Sequence, residues 1–270
     1  MSSVWDGGLV GGGGEGVGWG EKKEEYIGKK EKERKAEKMK LTRRDLEMCE
    51  WINRFGYATA DQISKKFQMS KQVVYRRFRE MEKEIYVIRE RLLFQESGVY
   101  RPTSEILSLA GSNLSPIRKV SLATYQHSLG VIDVCLILEQ KYSGAEITTE
   151  RELRAAAGKA GPGQEGHFPD AIMSYMGEKI AIEFEQNPKG RSRLKKIKTM
   201  LLRGDIPGVD RIDGVWYIVP QEQKALAQTL AAEFSAHGDY FQVYLYPDFE
   251  KVQAAPGVEP VPVMKNWARR

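Results

Sequence analysis

Apolar positions take up a helical period at Leu41 and give way, in the second half of the chain, to alternation and short apolar runs. Leu41, Met48, Ile52 and Phe55 make one helical stripe, opened by the box Thr42-Arg43-Arg44-Asp45 and closed by Gly56. A second box, Thr59-Ala60-Asp61-Gln62, starts a short helix through Phe67 with Ile63 and Phe67 inward. Ser70 then caps a third helix from Lys71 to about Lys83 that buries Val74, Phe78 and Met81. Residues 85–94 and 99–102 read as extended runs joined by Gln95-Glu96-Ser97-Gly98. A short helix over residues 103–110 stops at Gly111, and the small, polar stretch Ser112-Asn113-Leu114-Ser115-Pro116 marks a domain boundary.

Past that boundary, residues 121–142 predict a long amphipathic helix with Leu122, Leu129, Ile132 and Leu136 inward. His127 and Asp133 are its notable polar residues, and His127 reads as bonding a neighbouring loop. Residues 145–153 read as extended and carry Glu150 and Glu152; residues 154–166 read as a Gly/Ala-rich loop. Two strands, 168–176 and 179–186, flank Gly177-Glu178, which suits a type II′ turn. That register pairs 170 with 185 and 172 with 183. Alternation then sets Asp170, Glu183 and Glu185 on one face, with Ile180, Ile182 and Phe184 on the other. Three clustered carboxylates call for a cation among them, either Mg²⁺ or a neighbouring Lys or Arg. Pro188 opens a helix to Leu202 with Leu194, Ile197 and Leu201 toward the sheet and Lys189 in its first turn. Residues 213–220 form an apolar strand through Val215, Trp216, Ile218 and Val219, residues 221–237 a helix, and Phe241–Tyr246 the closing strand. Residues 247–270, with Pro256, Pro260 and Pro262, read as a surface tail.

Composition narrows the class. The chain is 270 residues long, 41% hydrophobic and 29% charged, and no apolar run approaches the roughly 18 residues of a membrane span. Residues 1–20 are Gly-rich and lack the regions of a secretory signal. Cys49 and Cys135 fall in apolar helical patterns, as core hydrophobes of a reducing compartment, so a cytoplasmic protein is expected. The net charge is +5, and residues 21–44 alone hold eleven Lys/Arg against six Glu. The remainder is neutral overall, with basic stretches at 71–79 and at 189–203; the latter has seven Lys/Arg and no acid. A basic patch on a neutral body points to a directed anionic partner.

Three helices followed by a hairpin resemble the winged-helix DNA-binding family in spacing and charge. The resemblance implies that the third helix enters the major groove of double-stranded DNA, with its N-terminal residues near base edges and its arginines on phosphates. The residues implicated are Lys71, Gln72, Tyr75, Arg76, Arg77 and Arg79, with Arg191 and Lys195 on the later basic helix. A winged helix used only for protein contact is the alternative. Pro169-Asp170, a spacer, and Glu183-x-Glu185 within residues 120–246 resemble the PD-(D/E)xK restriction-endonuclease-like superfamily. That likeness implies that Asp170 and Glu183 bind Mg²⁺; Glu185 stands where a catalytic Lys belongs, and Lys189 is its candidate substitute.

The whole arrangement is similar to the replication-relaxation family. It comprises His127 and Asp133 on one helix, Pro169-Asp170, and Ile182-Glu183-Phe184-Glu185 running on to Pro188-Lys189. Its members are associated with plasmids and conjugative elements, so the likeness implies a relaxase or another transfer or replication protein as partner. A homodimer is compatible with this role, and no membrane is involved.

The expected fold is α/β (α+β): an arm over residues 1–40, a winged helix-turn-helix over 41–114, a nuclease-like mixed-sheet domain over 115–250, and a tail over 251–270. The first reading is a DNA-binding accessory protein of plasmid transfer (mobilisation) or replication. The second is a Mg²⁺-dependent endonuclease using Asp170, Glu183, Glu185 and Lys189, and the third is a protein-binding adaptor.

Overall fold

Local capping chemistry shapes the first half of the molecule. The computed structural model describes residues 39–158, 167–187, 191–204 and 206–253. The arm at residues 1–38, Lys189 and the tail from residue 254 lie outside the described residues. Helix α1 (Arg43–Phe55) starts at a reciprocal box between Thr42 and Asp45 and ends at Gly56, whose φ of 96° favours glycine. Helix α2 (Ala60–Phe67) repeats the device with Thr59 and Gln62, and Ser70 caps helix α3 (Lys71–Lys83). Strand β1 (Ala58–Thr59) joins β2 (Val87–Glu90) and β3 (Val99–Pro102) in an antiparallel sheet of order β1-β3-β2. Glu90 pairs with Val99, so the connection is the whole loop 91–98 rather than the four residues expected. Helix α4 (Ser104–Ala110) follows and closes at Gly111.

The second half is a six-stranded mixed sheet of order β4-β5-β6-β7-β8-β9. Its strands are β4 (Glu146–Thr149), β5 (Ala171–Tyr175), β6 (Glu178–Phe184), β7 (Gly214–Pro220), β8 (Phe241–Tyr246) and β9 (Glu250–Val252). β6, β7 and β8 run parallel, and the outer pairs are antiparallel. One face packs on helix α5 (Tyr125–Lys141), where Val131, Val134, Cys135 and Leu138 meet Ile180, Ile182 and Phe184. On the other face, Ala181, Val215, Tyr217 and Val219 meet Leu194, Ile197 and Leu201 of helix α7 (Arg191–Arg203), and Leu226, Leu230 and Phe234 of helix α8 (Lys224–Phe234). The chain is therefore a mixed α/β fold with eight α-helices among the described residues. No described helix is long and apolar enough to cross a membrane.

Further sequence expectations change. The β5–β6 turn has Met176 and Gly177 at its centre with φ of 50° and 86°, so it is a two-residue turn of the I′ kind with Tyr175 opposite Glu178. The register moves by two, which preserves the faces of the strands but sets Asp170 level with Glu183 instead of Glu185. Glu150 and Glu152 are not extended: they open helix α6 (Glu150–Ala156) through a box between Thr149 and Glu152. In α5 the expected inward stripe fails at Leu122, which is 61% exposed because the helix proper starts at Tyr125 after a 3₁₀ turn. With neighbours on two sides, α5 has no single apolar stripe to read. Finally, residues 250–252 form the sixth strand where a tail was expected.

The described residues from Leu41 onward belong to one compact unit. The stretch expected to separate two domains is held from both sides: Asn53 Nδ2 of α1 donates to Leu114 O at 2.7 Å, and Arg151 Nη2 of α6 to Ser115 O at 2.6 Å. Arg54 reaches from α1 to Glu152 at 2.7 Å and to Ile147 O, and Thr149 Oγ1 donates back to Arg54 O at 2.8 Å. Gln62 Nε2 donates to Leu129 O at 2.9 Å and to Asp133 at 3.2 Å, while Lys66 meets Glu139 at 2.6 Å.

Candidate functional site

Helix α3 divides into a buried face and a polar one because Val74, Phe78 and Met81 recur at helical spacing and are fully buried. The opposite face presents Gln72, Arg76 and Arg79 to solvent, and Lys83 extends the stripe by another turn. Lys83 was not among the expected contacts, although its spacing from Arg76 and Arg79 marks it. Arg77 differs. Its Nε and Nη2 bond the Asp45 carboxylate at 2.8 and 2.5 Å, and Nη1 meets Glu80 at 3.0 Å, so its charge is spent inside the fold. Burial acts to raise the Asp45 carboxyl, but Arg77 and the Thr42 donors outweigh it and hold it below its ordinary value. Lys71 is exposed and pairs with Asp61 at 2.5 Å; Tyr75 is half-buried.

Strand β2 extends the basic surface. Arg89 is exposed, and its guanidinium lies 5.8 Å above the Tyr100 ring, which itself packs on Phe78 of α3. Arg79 and Arg89 both act electrostatically on the Tyr100 hydroxyl, so the two cations share one neighbourhood. Between the N-terminus of α3 and the carboxyl edge of the sheet lies a cleft of about 540 Å³ lined by Asp61, Lys71, Glu96, Asp133 and Glu222. Its lining holds four carboxylates, of which Asp61 is paired with both Lys65 and Lys71, so the cleft is acidic on balance and unfavourable to a polyanion.

At the sheet edge the carboxylates take distinct partners. Asp170 Oδ2 accepts the Phe184 N–H at 2.7 Å, and Oδ1 lies 3.0 Å from His127 Nε2. Glu183, 2% exposed, places Oε1 2.7 Å from His167 Nε2. Glu185 is buried beside them, its N–H donating to Ile218 O at 2.9 Å. Tyr217, level with Glu183 across the parallel β6–β7 pair, is fully buried. Burial first, then the charges of Glu183, Glu185 and Asp170, hold its hydroxyl well above the ordinary range. The sequence reading passed over Tyr217; strand parity with Val215 and Val219 beside an acidic strand is the signal that marks it. His167 stands three residues before Asp170 and has no spacing that announces its pairing with Glu183.

This geometry tests the metal expectation. Mg²⁺ takes about six oxygen ligands at roughly 2.0–2.1 Å. Among the described residues, no three His, Cys, Asp or Glu side chains are placed to hold a metal ion. The two expected ligands are engaged instead by His127, the Phe184 N–H and His167. In this arrangement a Mg²⁺ ion held by Asp170 and Glu183 would have to displace these histidine contacts, and the place of Lys189 lies outside the described residues.

A second basic surface lies on α7, where a shallow groove of about 440 Å³ is lined by Ser192, Lys195, Lys196, Thr199, Met200 and Arg203. Lys198, on the same helix, is drawn inward to Glu233 O at 2.9 Å and over the Phe234 ring. Arg191 begins this helix.

Comparison with models of known protein families finds none that matches the chain, and comparison with curated proteins finds no match either.

Proposed function

We propose that the chain is a double-stranded-DNA-binding protein whose helices α1–α3 and β2–β3 hairpin act as a winged helix, with α3 lying in the major groove. The observation that carries this reading is the exposed stripe Gln72, Arg76, Arg79 and Lys83 on a short helix whose other face is fully buried. Arg77 is excluded from the contact set because Asp45 and Glu80 hold it. Gln72, near the N-terminus of α3, is positioned for base edges, and Arg76 and Arg79 for phosphates.

In this reading the six-stranded sheet is a nuclease-like PD-(D/E)xK domain turned to structural or partner-binding use. Its histidine–carboxylate pairs and the Glu at the lysine position support a non-catalytic role. The resemblance to the replication-relaxation family supplies the setting: an accessory protein of plasmid mobilisation or replication, acting beside a relaxase or another transfer or replication protein.

The test is a titration of the full chain with duplex DNA from such an element. Gln72→Ala is expected to cost about 1–3 kcal/mol on the preferred sequence and nearly nothing on random duplex. Failure of the chain to retard any duplex at low salt contradicts the proposal. The endonuclease reading is decided in parallel by nicking of supercoiled plasmid with Mg²⁺ or Mn²⁺. No nicking is expected, and nicking abolished by Asp170→Asn or Glu183→Gln would establish it.

A further inference from the structure

The loop 91–98 holds an aromatic ring away from every hydrophobic core. Phe94 is 87% exposed. Its surroundings are not loose. Leu92 and Leu93 pack against Tyr57, Val99, Val120 and Tyr125. The Glu96 N–H donates to Leu93 O at 3.3 Å, which closes a turn with Phe94 and Gln95 at its corner. Gln126 Nε2 then fastens Glu96 at 2.5 Å, and the Tyr125 hydroxyl donates to Ser97 O at 3.3 Å. The Arg91 guanidinium lies 5.5 Å from the Phe94 ring centre, and its Nε donates to Glu96 O at 3.3 Å. One face of the ring is therefore backed by the Arg91 guanidinium, and most of the ring is open to solvent.

A flat apolar surface beside a guanidinium matches a nucleotide, with a base to stack on the ring and a phosphate to meet the charge. Charge complementarity points to the same occupant, because the hairpin carries a second exposed cation, Arg89, 5.8 Å from the Tyr100 ring that packs on Phe78 of α3. We propose that Arg91 and Phe94 form a base-stacking site for an unstacked nucleobase, at a kinked or opened step beside the duplex held by α3. The inference rests on the DNA-binding reading and adds to it a preference for locally distorted DNA.

The experiment compares the full chain on a perfect duplex and on the same duplex carrying one bulged 2-aminopurine. Wild type is expected to favour the bulged duplex by at least about fivefold and to quench the probe. Phe94→Ala abolishes both the preference and the quench while binding of the perfect duplex persists, and Phe94→Trp keeps both. A Phe94→Ala chain with undiminished preference overturns the stacking site and leaves DNA binding standing. A chain that binds neither duplex removes the DNA-binding reading and this site together. Sedimentation that shows a dimer for wild type and a monomer for Phe94→Ala assigns the ring to self-association and overturns the proposal.

Discussion

Arg77 and Arg79 sit two positions apart on α3 and do different work. Arg77 neutralises Asp45, which is 1% exposed and would otherwise be a buried carboxylate with only Thr42 beside it. Arg77→Ala is expected to lower stability by about 2–3 kcal/mol, and Arg79→Ala by less than about 0.5 kcal/mol, in urea unfolding. Comparable losses in the two variants would contradict the division of roles. The pH dependence has a definite sign. The Asp45 carboxyl is depressed in the folded state, so its contribution is present above the ordinary carboxylate pKa and lost as pH falls through the folded value. Wild type is thus expected to lose more stability than Asp45→Asn on acidification below about pH 4. At this scale Asp45 was legible as the third helical residue of a capping box. Its second partner was not, because Arg77 is 32 positions away and only the packing of α3 on α1 brings it in.

Among the elements, those specified by local chemistry were the readable ones. Cap and buried stripe are local to each of α1, α2 and α3, and the helix ends match the sequence expectation. Elements defined by neighbours were not. The β5–β6 register depends on which two residues stand at the centre of the turn, and Met176-Gly177 takes that place instead of Gly177-Glu178. The box that starts α6 was hidden because Thr149 and Glu152 also fit an extended run. Helix α5 depends on a close approach: a Cβ on Gly130 would lie 2.0 Å from Phe184 Cε1, and Phe184 is only 3% exposed. Gly130→Ala is therefore expected to destabilise by about 1–3 kcal/mol despite its better helix propensity. A thermal melt unchanged from wild type would show that α5 has room to shift.

Across the whole molecule, the helical half and the sheet half are joined by Arg54, Gln62, Lys66, Asn53 and Arg151 rather than by a bare linker. A proline after a small polar run suggested a boundary, but only the three-dimensional structure shows the hydrogen bonds that fasten it. The expected outcome is one cooperative unfolding transition, coincident by circular dichroism and by tryptophan fluorescence. Two separated transitions would mean that these contacts do not couple the halves. The candidate site was partly legible on the same grounds. The α3 stripe is local and periodic, whereas the pairing of His127 with Asp170 and of His167 with Glu183 needs the sheet to assemble first.

DNA binding through α3 is tested most directly by the salt dependence of affinity for duplex DNA, measured by fluorescence anisotropy from about 50 to 200 mM salt. Log affinity is expected to fall linearly with log salt for wild type. Arg76→Ala and Arg79→Ala should each flatten the slope by about one unit, and Arg77→Ala should leave it unchanged at a temperature where that variant is folded. Unchanged affinity and slope in both the Arg76 and Arg79 variants would contradict the assignment of α3 as the DNA-contacting helix.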